Sequence, residues 1–335
     1  MMTTKTTHST GLFGSMSTKI AAVVATTVLG STALVACGAN EDPTATNDGN
    51  DSTVAVGSAN FPESEIIGQL YTQVLQNAGV NANFQGGIGA RDVYLAALQK
   101  GSIDLVPEYS GNAAQYYAKG KPEEADLGPG TEPKEVLSTL DKVLPEGISA
   151  GEAAPAESCD SYRVMPDFAA QHHLTSLSDL AAFAENNTIK LAGNPELEAR
   201  PYGPEGLEKV YDVPKSKIEF QPISDGGGPL TVNALKDGTV NMADIYTTSP
   251  VLDRSGNEVS VVELKDPKRL ILAQQVIPLM RTDSLNDKAK DALKKVQEKL
   301  TTDDLKQMNL RNSGKEKAEP KQIAHDWLKD KGLVS

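Results

Sequence analysis

The chain of 335 residues has little of what usually marks a reactive site: one tryptophan, four histidines, two cysteines and only 5% aromatic residues. Two cysteines cannot build a disulfide framework. His172 and His173 are the only adjacent histidines, and neighbours in sequence point apart. With no third ligand at a recognisable spacing they argue against a metal site, and His325 lies in a helical pattern near the end. No Ser/His/Asp or Cys/His arrangement with a nucleophile's sequence context is present. Beyond residue 36 no apolar run is long enough to cross a bilayer. Positive charge is also scarce, with 32 Lys and Arg against 45 Asp and Glu and a net charge of −13. That balance argues against nucleic acid or anionic lipid as a partner. It tolerates a cationic ligand without selecting one.

What is present begins near the N-terminus. Lys19 precedes an uncharged apolar stretch from Ile20 to Leu34, followed by Leu34-Val35-Ala36-Cys37-Gly38. The stretch is short for a membrane span and the right length for an export signal. Small residues before a cysteine form a lipobox, so residues 1–36 are expected to be cleaved and Cys37 to carry lipid; the alternative is an ordinary signal peptide that happens to hold a cysteine. Met16 offers a second start. Loss of residues 1–36 removes two lysines, Lys5 and Lys19, and no acid, which takes the net charge from −13 to −15. One acyl anchor then decides whether the protein is tethered outside the cytoplasmic membrane or free. Residues 37–52, rich in Asn, Asp, Thr and Gly, cannot bury a core and read as a flexible tether. Cys159 is left unpaired and reads as a small buried residue.

The remainder alternates strand and helix patterns. Strands are expected at 53–57, 82–85 and 103–106, the last broken by Pro107, and then at 162–165, 189–192, 217–220 and 240–245. Pro62-Glu63-Ser64-Glu65 opens a helix whose apolar face is Ile66, Ile67, Leu70, Tyr71, Val74 and Leu75. Further helices are expected at 93–99, 135–143, 177–184 and 230–236, with a Pro/Gly/Glu-rich surface excursion over 121–133. The tail has three amphipathic helices, 288–300, 302–310 and 320–329, with no strand between them. Such alternation predicts mostly parallel sheets flanked by helices. Two such series, with a helical tail packing back on one of them, suggest a two-lobed α/β protein with a cleft.

Ligands of open α/β sheets sit beyond the carboxyl ends of the strands. Tyr109 and Tyr246 follow strands there, and Tyr162 stands at the junction of the two series. The plainer alternative is three tyrosines capping strand ends with wet hydroxyls. Gly226-Gly227-Gly228 precedes a helix but lacks a phosphate-loop lysine, so it reads as a turn facing the cleft. Glu63 and Glu65 read as first-turn helix acids.

Val56-Gly57-Ser58-Ala59-Asn60-Phe61, Glu65-Ile66-Ile67, Ala97-Leu98, Gly101-Ser102-Ile103-Asp104 and Pro107-Glu108-Tyr109-Ser110-Gly111 follow one another in a set order. With Arg200-Pro201-Tyr202-Gly203, Leu235-Lys236-Asp237-Gly238 and Ala243-Asp244-Ile245-Tyr246, this set resembles the substrate-binding proteins of ABC importers for glycine betaine, choline and carnitine. The resemblance covers residues 53–335. It implies a periplasmic-binding-protein-like fold of type II, with two hinge crossovers near 157–159 and 247–250. Residues 53–157 and 250–335 would then form the first lobe and 158–249 the second. It implies a monomer that binds its solute unchanged, closes over it and docks on a membrane permease, with no catalytic residue, cofactor or metal.

A quaternary ammonium has a diffuse charge and no N–H to donate, so aromatic faces hold it, each worth ~0.5–1 kcal/mol when exposed and ~2 kcal/mol or more when desolvated. By resemblance, Tyr109, Tyr162 and Tyr246 are box walls, Asp160 faces the cation and Arg200 holds a ligand carboxylate. Departures from the pattern are Ala59 for a lysine or glutamine, Asn112 for a threonine, and Gln274 (or Gln275) for a fourth box tyrosine. Asp92 stands where an acid could accept a ligand hydroxyl, unless it belongs to a surface pair with Arg91. These departures leave two rivals open: a receptor of the same fold for a ring-containing betaine or amino-acid derivative, and a lipid-anchored enzyme on the bilobed fold.

Overall fold

The computed structural model describes residues 53–121 and 127–335. The export signal, Cys37 and the tether lie outside the described residues, as does 122–126 of the expected surface excursion. Ten strands make two five-stranded sheets. The first lobe opens with β1 (Val54–Gly57), β2 (Ala82–Gln85), β3 (Leu105–Tyr109) and β4 (Ile148–Ala150). The second holds β5 (Tyr162–Val164), β6 (Ile189–Gly193), β7 (Ile218–Pro222), β8 (Met242–Asp244) and β9 (Val262–Glu263). The chain then returns as β10 (Val276–Arg281) to the first sheet. The orders are β2-β1-β3-β10-β4 and β7-β6-β8-β5-β9.

The two-lobed α/β class is as expected, but each sheet is mixed rather than mostly parallel. In the first, β1 pairs in parallel with β2 and β3, while β10 runs antiparallel to β3 and β4. In the second, β6 pairs in parallel with β7 and β8, while β5 is antiparallel to β8 and β9.

Strand β10, which the sequence pattern did not show, lies between β3 and β4 and is buried over its first five residues. Its Pro278 faces Pro107 of β3, so β3 runs through the proline expected to break it. The Pro278 carbonyl accepts from Gly151 N–H, on the side away from β3. The proline pair is therefore a non-hydrogen-bonded pair, where neither missing N–H was needed between the two strands. Gly151 fits because a Cβ there would lie 2.6 Å from the Pro278 ring.

Helices α1 (Pro62–Asn77), α2 (Arg91–Lys100), α3 (Ser110–Ala118) and α4 (Pro133–Val143) flank the first sheet. The whole expected apolar face of α1 is buried. It packs on the tail helices α9 (Asp287–Lys299), α10 (Thr302–Ser313) and α11 (Pro320–Asp330), through Val296, Leu305 and Trp327 among others. Each buried leucine or isoleucine there contributes ~1.5–3 kcal/mol. In the second lobe are α5 (Pro166–His172), α6 (Leu180–Asn186), α7 (Pro204–Tyr211) and α8 (Pro229–Lys236).

The domain boundary expected at 250 is corrected. Strand β9 pairs with β5, and Leu264 and Leu270 belong to the second lobe's core, whereas Leu272 belongs to the first lobe's. The chain therefore returns over 271–275. There it runs beside the outgoing crossover: Glu157 and Gln275 form an antiparallel bridge, and Ser158 N–H donates to the Gln274 carbonyl at 3.1 Å. Thr247 pairs with the outgoing segment without crossing between lobes, its N–H donating to the Cys159 carbonyl at 2.8 Å and its hydroxyl accepting from Cys159 N–H at 3.0 Å.

Ile277 of β10 is fully buried in the first lobe's core. Ile277→Ala should lower the free energy of unfolding by about 2–5 kcal/mol, read as a fall in the denaturation midpoint; a loss within error of zero would contradict a central β10.

Candidate functional site

A cleft of about 980 Å³ is lined from both lobes. Its first wall is set by the loop after β1 and the end of β3. Ser58 Oγ donates to the Ala59 carbonyl and accepts from Gly87 N–H, and Ala59 N–H donates to Ser64 Oγ, all at 3.0 Å. This pins the entry to α1 and leaves Ala59 buried in the cleft lining, with Phe61 at its edge. Phe61 stacks on Tyr109, ring centroids 6.4 Å apart at 24°.

Glu63, in the first turn of α1, is almost wholly buried and lines the cleft. It accepts from Tyr109 Oη at 2.6 Å and from Asn309 Nδ2 of α10 at 2.5 Å. Asn309 also donates to the Thr248 carbonyl at 3.1 Å, joining the two lobes across the cleft. Behind this wall the buried Glu108 takes two bonds from Arg91, at 2.7 and 3.2 Å, and one from Tyr109 N–H at 3.0 Å. That bidentate pair fixes the β3–α3 turn; Tyr94 and Arg91 of α2 complete the wall.

The second wall is built on Tyr162 without using it. Tyr162 is buried in the lobe's core, and its hydroxyl donates to the Tyr202 carbonyl at 2.6 Å. It does not line the cleft; Tyr202 does. The turn Arg200–Gly203 brings Tyr202 there, and Gly203 is required because a Cβ would lie 2.0 Å from the Leu197 carbonyl oxygen. Tyr202 Oη donates to Asp160 Oδ2 at 2.9 Å. Asp244, at the end of β8, lines the same wall and accepts from Ser161 N–H at 3.2 Å. Tyr246 and Arg200 line the same wall, Arg200 exposed. Gly227 closes it, at φ +76° and with room for no Cβ against Ile245 Cα at 2.8 Å.

Among the expected site residues, Ala59, Tyr109, Asn112, Asp160, Arg200 and Tyr246 line the one cleft. Three do not. Tyr162 positions Tyr202 instead. Asp92 is an exposed first-turn acid of α2 whose neighbour Arg91 faces inward. Gln274 is buried, with its side-chain oxygen accepting from Asn112 N–H at 2.9 Å; it caps α3, together with the Ala273 and Gln275 carbonyls. Phe61, Glu63, Tyr94, Tyr202, Asp244 and Asn309 were missed as lining residues. Tyr202 had a signal, since it stands within the Arg200-Pro201-Tyr202-Gly203 segment that carries part of the resemblance. Asn309 had none, being one polar residue in an amphipathic helix.

The cleft therefore holds five aromatic rings, Phe61, Tyr94, Tyr109, Tyr202 and Tyr246, and an excess of acids. Burial raises the Asp160 carboxyl; burial and the adjacent Asp160 hold the Asp244 carboxyl well above the usual carboxylate range. Partial burial pushes the Cys159 thiol, at the outgoing crossover, up to about 12, so it stays a thiol at neutral pH. No cluster of three or more potential metal-ligating residues occurs among the described residues.

Residues 52–330 match the family described as the substrate binding domain of ABC-type glycine betaine transport systems. The chain belongs to that family. It is 28% identical over 286 residues to the glycine betaine-binding protein YehZ of Escherichia coli, covering 84% of this chain and 91% of that protein. The structure of apo YehZ from the same species superposes with a TM-score of 0.66 at 26% identity, covering 84% of this chain and all of that one. A glycine betaine/carnitine/choline ABC transporter structure, at 19% identity, shares the fold with a TM-score of 0.69, covering 84% of this chain and all of that one.

Both raised acids bear on stability. The folded protein holds more protons than the unfolded chain above about pH 4, so this contribution is full below that pH and is lost as pH rises toward the folded values. Asp244→Asn removes one partner of the pair. Its melting temperature relative to the native protein should therefore climb steadily between pH 4.5 and pH 8; a constant offset would mean that the pair does not titrate as a unit.

Proposed function

We propose that this protein captures a small quaternary ammonium solute, of the glycine betaine, choline or carnitine type, outside the cytoplasmic membrane and hands it unchanged to an ABC permease. The observation that carries this reading is the cleft itself, where five aromatic rings and several acids from both lobes surround one cavity in a chain of this family. Aromatic faces attract a methylated cation that no hydrogen-bond acceptor can grip. Phe61, Tyr94 and Tyr109 supply one side, Tyr202 and Tyr246 the other.

The cavity is far roomier than such a solute needs, and its two walls belong to lobes joined by only two crossovers. Closure about 156–160 and 271–275 would bring both aromatic walls onto one cation, so the ligand would stabilise the closed form. Asn309, bound to Glu63 in one lobe and to Thr248 in the other, is well placed to follow that motion. Arg200, exposed in the cleft lining, would meet a ligand carboxylate. The role needs neither cofactor nor metal, and a monomer suffices.

The lipobox supports a tethered location. No helix among the described residues is long and apolar enough to cross a membrane, so in this reading acylated Cys37 is the anchor, reached through the tether at 37–52. Cys37→Ser should move the protein from the membrane fraction to the soluble extracytoplasmic fraction and remove the lipid mass from its N-terminus; unchanged membrane association would remove the anchor from the proposal.

Calorimetry against glycine betaine, carnitine and choline tests the site. Tyr109→Ala, Tyr202→Ala and Tyr246→Ala should each weaken binding by ~1–2 kcal/mol, about tenfold or more. Tyr162→Phe should change affinity less than about threefold. Arg200→Ala should weaken glycine betaine more than choline, which has no carboxylate. Absence of heat with all three solutes, alongside binding of an unrelated class, rejects the reading.

A further inference from the structure

We infer that Glu63 and Asn309 are positioning residues that fix the spacing between the two aromatic walls of the cleft, and so select the size of the ammonium head group it accepts. The inference rests on the quaternary-ammonium reading above and adds to it two side chains that hold rings in place rather than forming a wall themselves.

The Tyr109 backbone is fixed twice: it pairs with Val276 in the β3–β10 ladder, and its N–H donates to the Glu108 carboxylate at 3.0 Å. What remains to be set is the direction of the ring. Phe61 stacks on it, and its hydroxyl donates to Glu63 Oε1 at 2.6 Å. The other oxygen of the same carboxylate accepts from Asn309 Nδ2 at 2.5 Å, and that nitrogen also donates to the Thr248 carbonyl at 3.1 Å. A carboxylate and a backbone carbonyl only accept, so both amide hydrogens are used and the amide has one orientation. Aspartate at 309 would set acceptor against acceptor, and alanine would leave both acceptors unmet. Glu63, Tyr109 and Asn309 are all buried, where an unmet polar group is costly.

Thr248 is the far end of this chain of contacts. Its hydroxyl bonds the Ser158 hydroxyl of the outgoing crossover at 2.8 Å. Ser249 N–H donates to the Tyr246 carbonyl at 3.0 Å, which closes Tyr246–Ser249 into one tight turn. Tyr246 is a ring of the second wall. The path from Tyr109 through Glu63 and Asn309 to Thr248 therefore links a ring of one wall to the turn that carries a ring of the other. It does so beside the crossover on which the lobes would turn, where closure displaces the chain least. The tie thus sets how far apart the two rings stand at that end of the cavity. Cation–π attraction needs the cation within about 6 Å of a ring centroid, so the spacing discriminates a trimethyl head group from a bulkier one. A cavity of about 980 Å³ cannot discriminate by volume alone.

The test is calorimetric titration of the purified protein with glycine betaine, choline and triethylcholine, which keeps the hydroxyethyl arm of choline on a bulkier head group. Tyr109→Phe keeps the ring and removes only the hydroxyl that Glu63 holds, while Asn309→Ala removes the link to Thr248. Each should bind choline and glycine betaine about fivefold more weakly. The double variant should lose about tenfold, short of the product of about twenty-fivefold expected of independent sites. The native protein should favour choline over triethylcholine by about tenfold or more, and Asn309→Ala should cut that preference to about threefold. Glu63→Gln can still accept from Asn309 and bond the Tyr109 hydroxyl, so it should keep more of the preference than Glu63→Ala does. If Glu63→Ala does not fold, the Tyr109→Phe and Asn309→Ala pair decides. Losses that multiply would overturn the inference and leave the function standing, as would a preference for choline that is absent from the native protein or unchanged in Asn309→Ala. A Glu63→Gln variant no better than Glu63→Ala would show a role through charge and overturn the positioning assignment. No binding of any of the three compounds by the native protein would overturn the function and this inference together.

Discussion

The pairing of two crossover segments governs this molecule. Residues 156–160 leave the first lobe and residues 271–275 return beside them, and the same few residues do three jobs. Gln275 bridges Glu157; the Ala273 and Gln275 carbonyls and the Gln274 side chain satisfy the first N–H groups of α3; and Val276 starts the strand that splits β3 from β4. A helix N-terminus leaves donors without intrahelical partners. Here they are met by the returning chain, so the position of Tyr109, which caps α3, is tied to the path between lobes. The aromatic wall and the connection on which closure would turn are thus one structure.

Much of this was legible in the chain because it is local. The face of α1, strands β1 and β2 and the three tail helices follow from periodicity and end signals that a few residues carry. Strand β10 was not legible, because a proline in a short apolar run argues against a central strand until its partner is known. Pro107 and Pro278 are acceptable because each sits at a non-hydrogen-bonded position of the β3–β10 ladder, and that register joins residues far apart in sequence. The boundary at 250 failed for the same reason: β9 is two residues long and gains its identity solely from its neighbour β5.

The site divides similarly. Tyr109 and Tyr246 end strands, and strand ends face the cleft in such sheets. Tyr162 begins one, and its ring turns into the core while its hydroxyl supports the Tyr202 turn. A tyrosine therefore marks the right place in the fold and the wrong side of the chain by one layer of contact. Gln274 looked like a lost wall; it is a cap, and the ring that lines the cleft instead is Tyr202.

Aromatic rings and acids do different work toward a methylated cation. Ring faces discriminate by shape and by their tolerance of a ligand that donates no hydrogen bonds, while contributing modest energy each. Carboxylates add long-range attraction but must first be kept dry without a partner, which is costly for an ionised group. Glu63 meets that cost with two neutral donors, Tyr109 and Asn309. Asp160 and Asp244 take neutral donors too, Tyr202 Oη and Ser161 N–H, and burial still raises both carboxyls. Neutral donors hold such side chains in place without an ion pair, so their attraction is left for a cation while the ring faces select its shape.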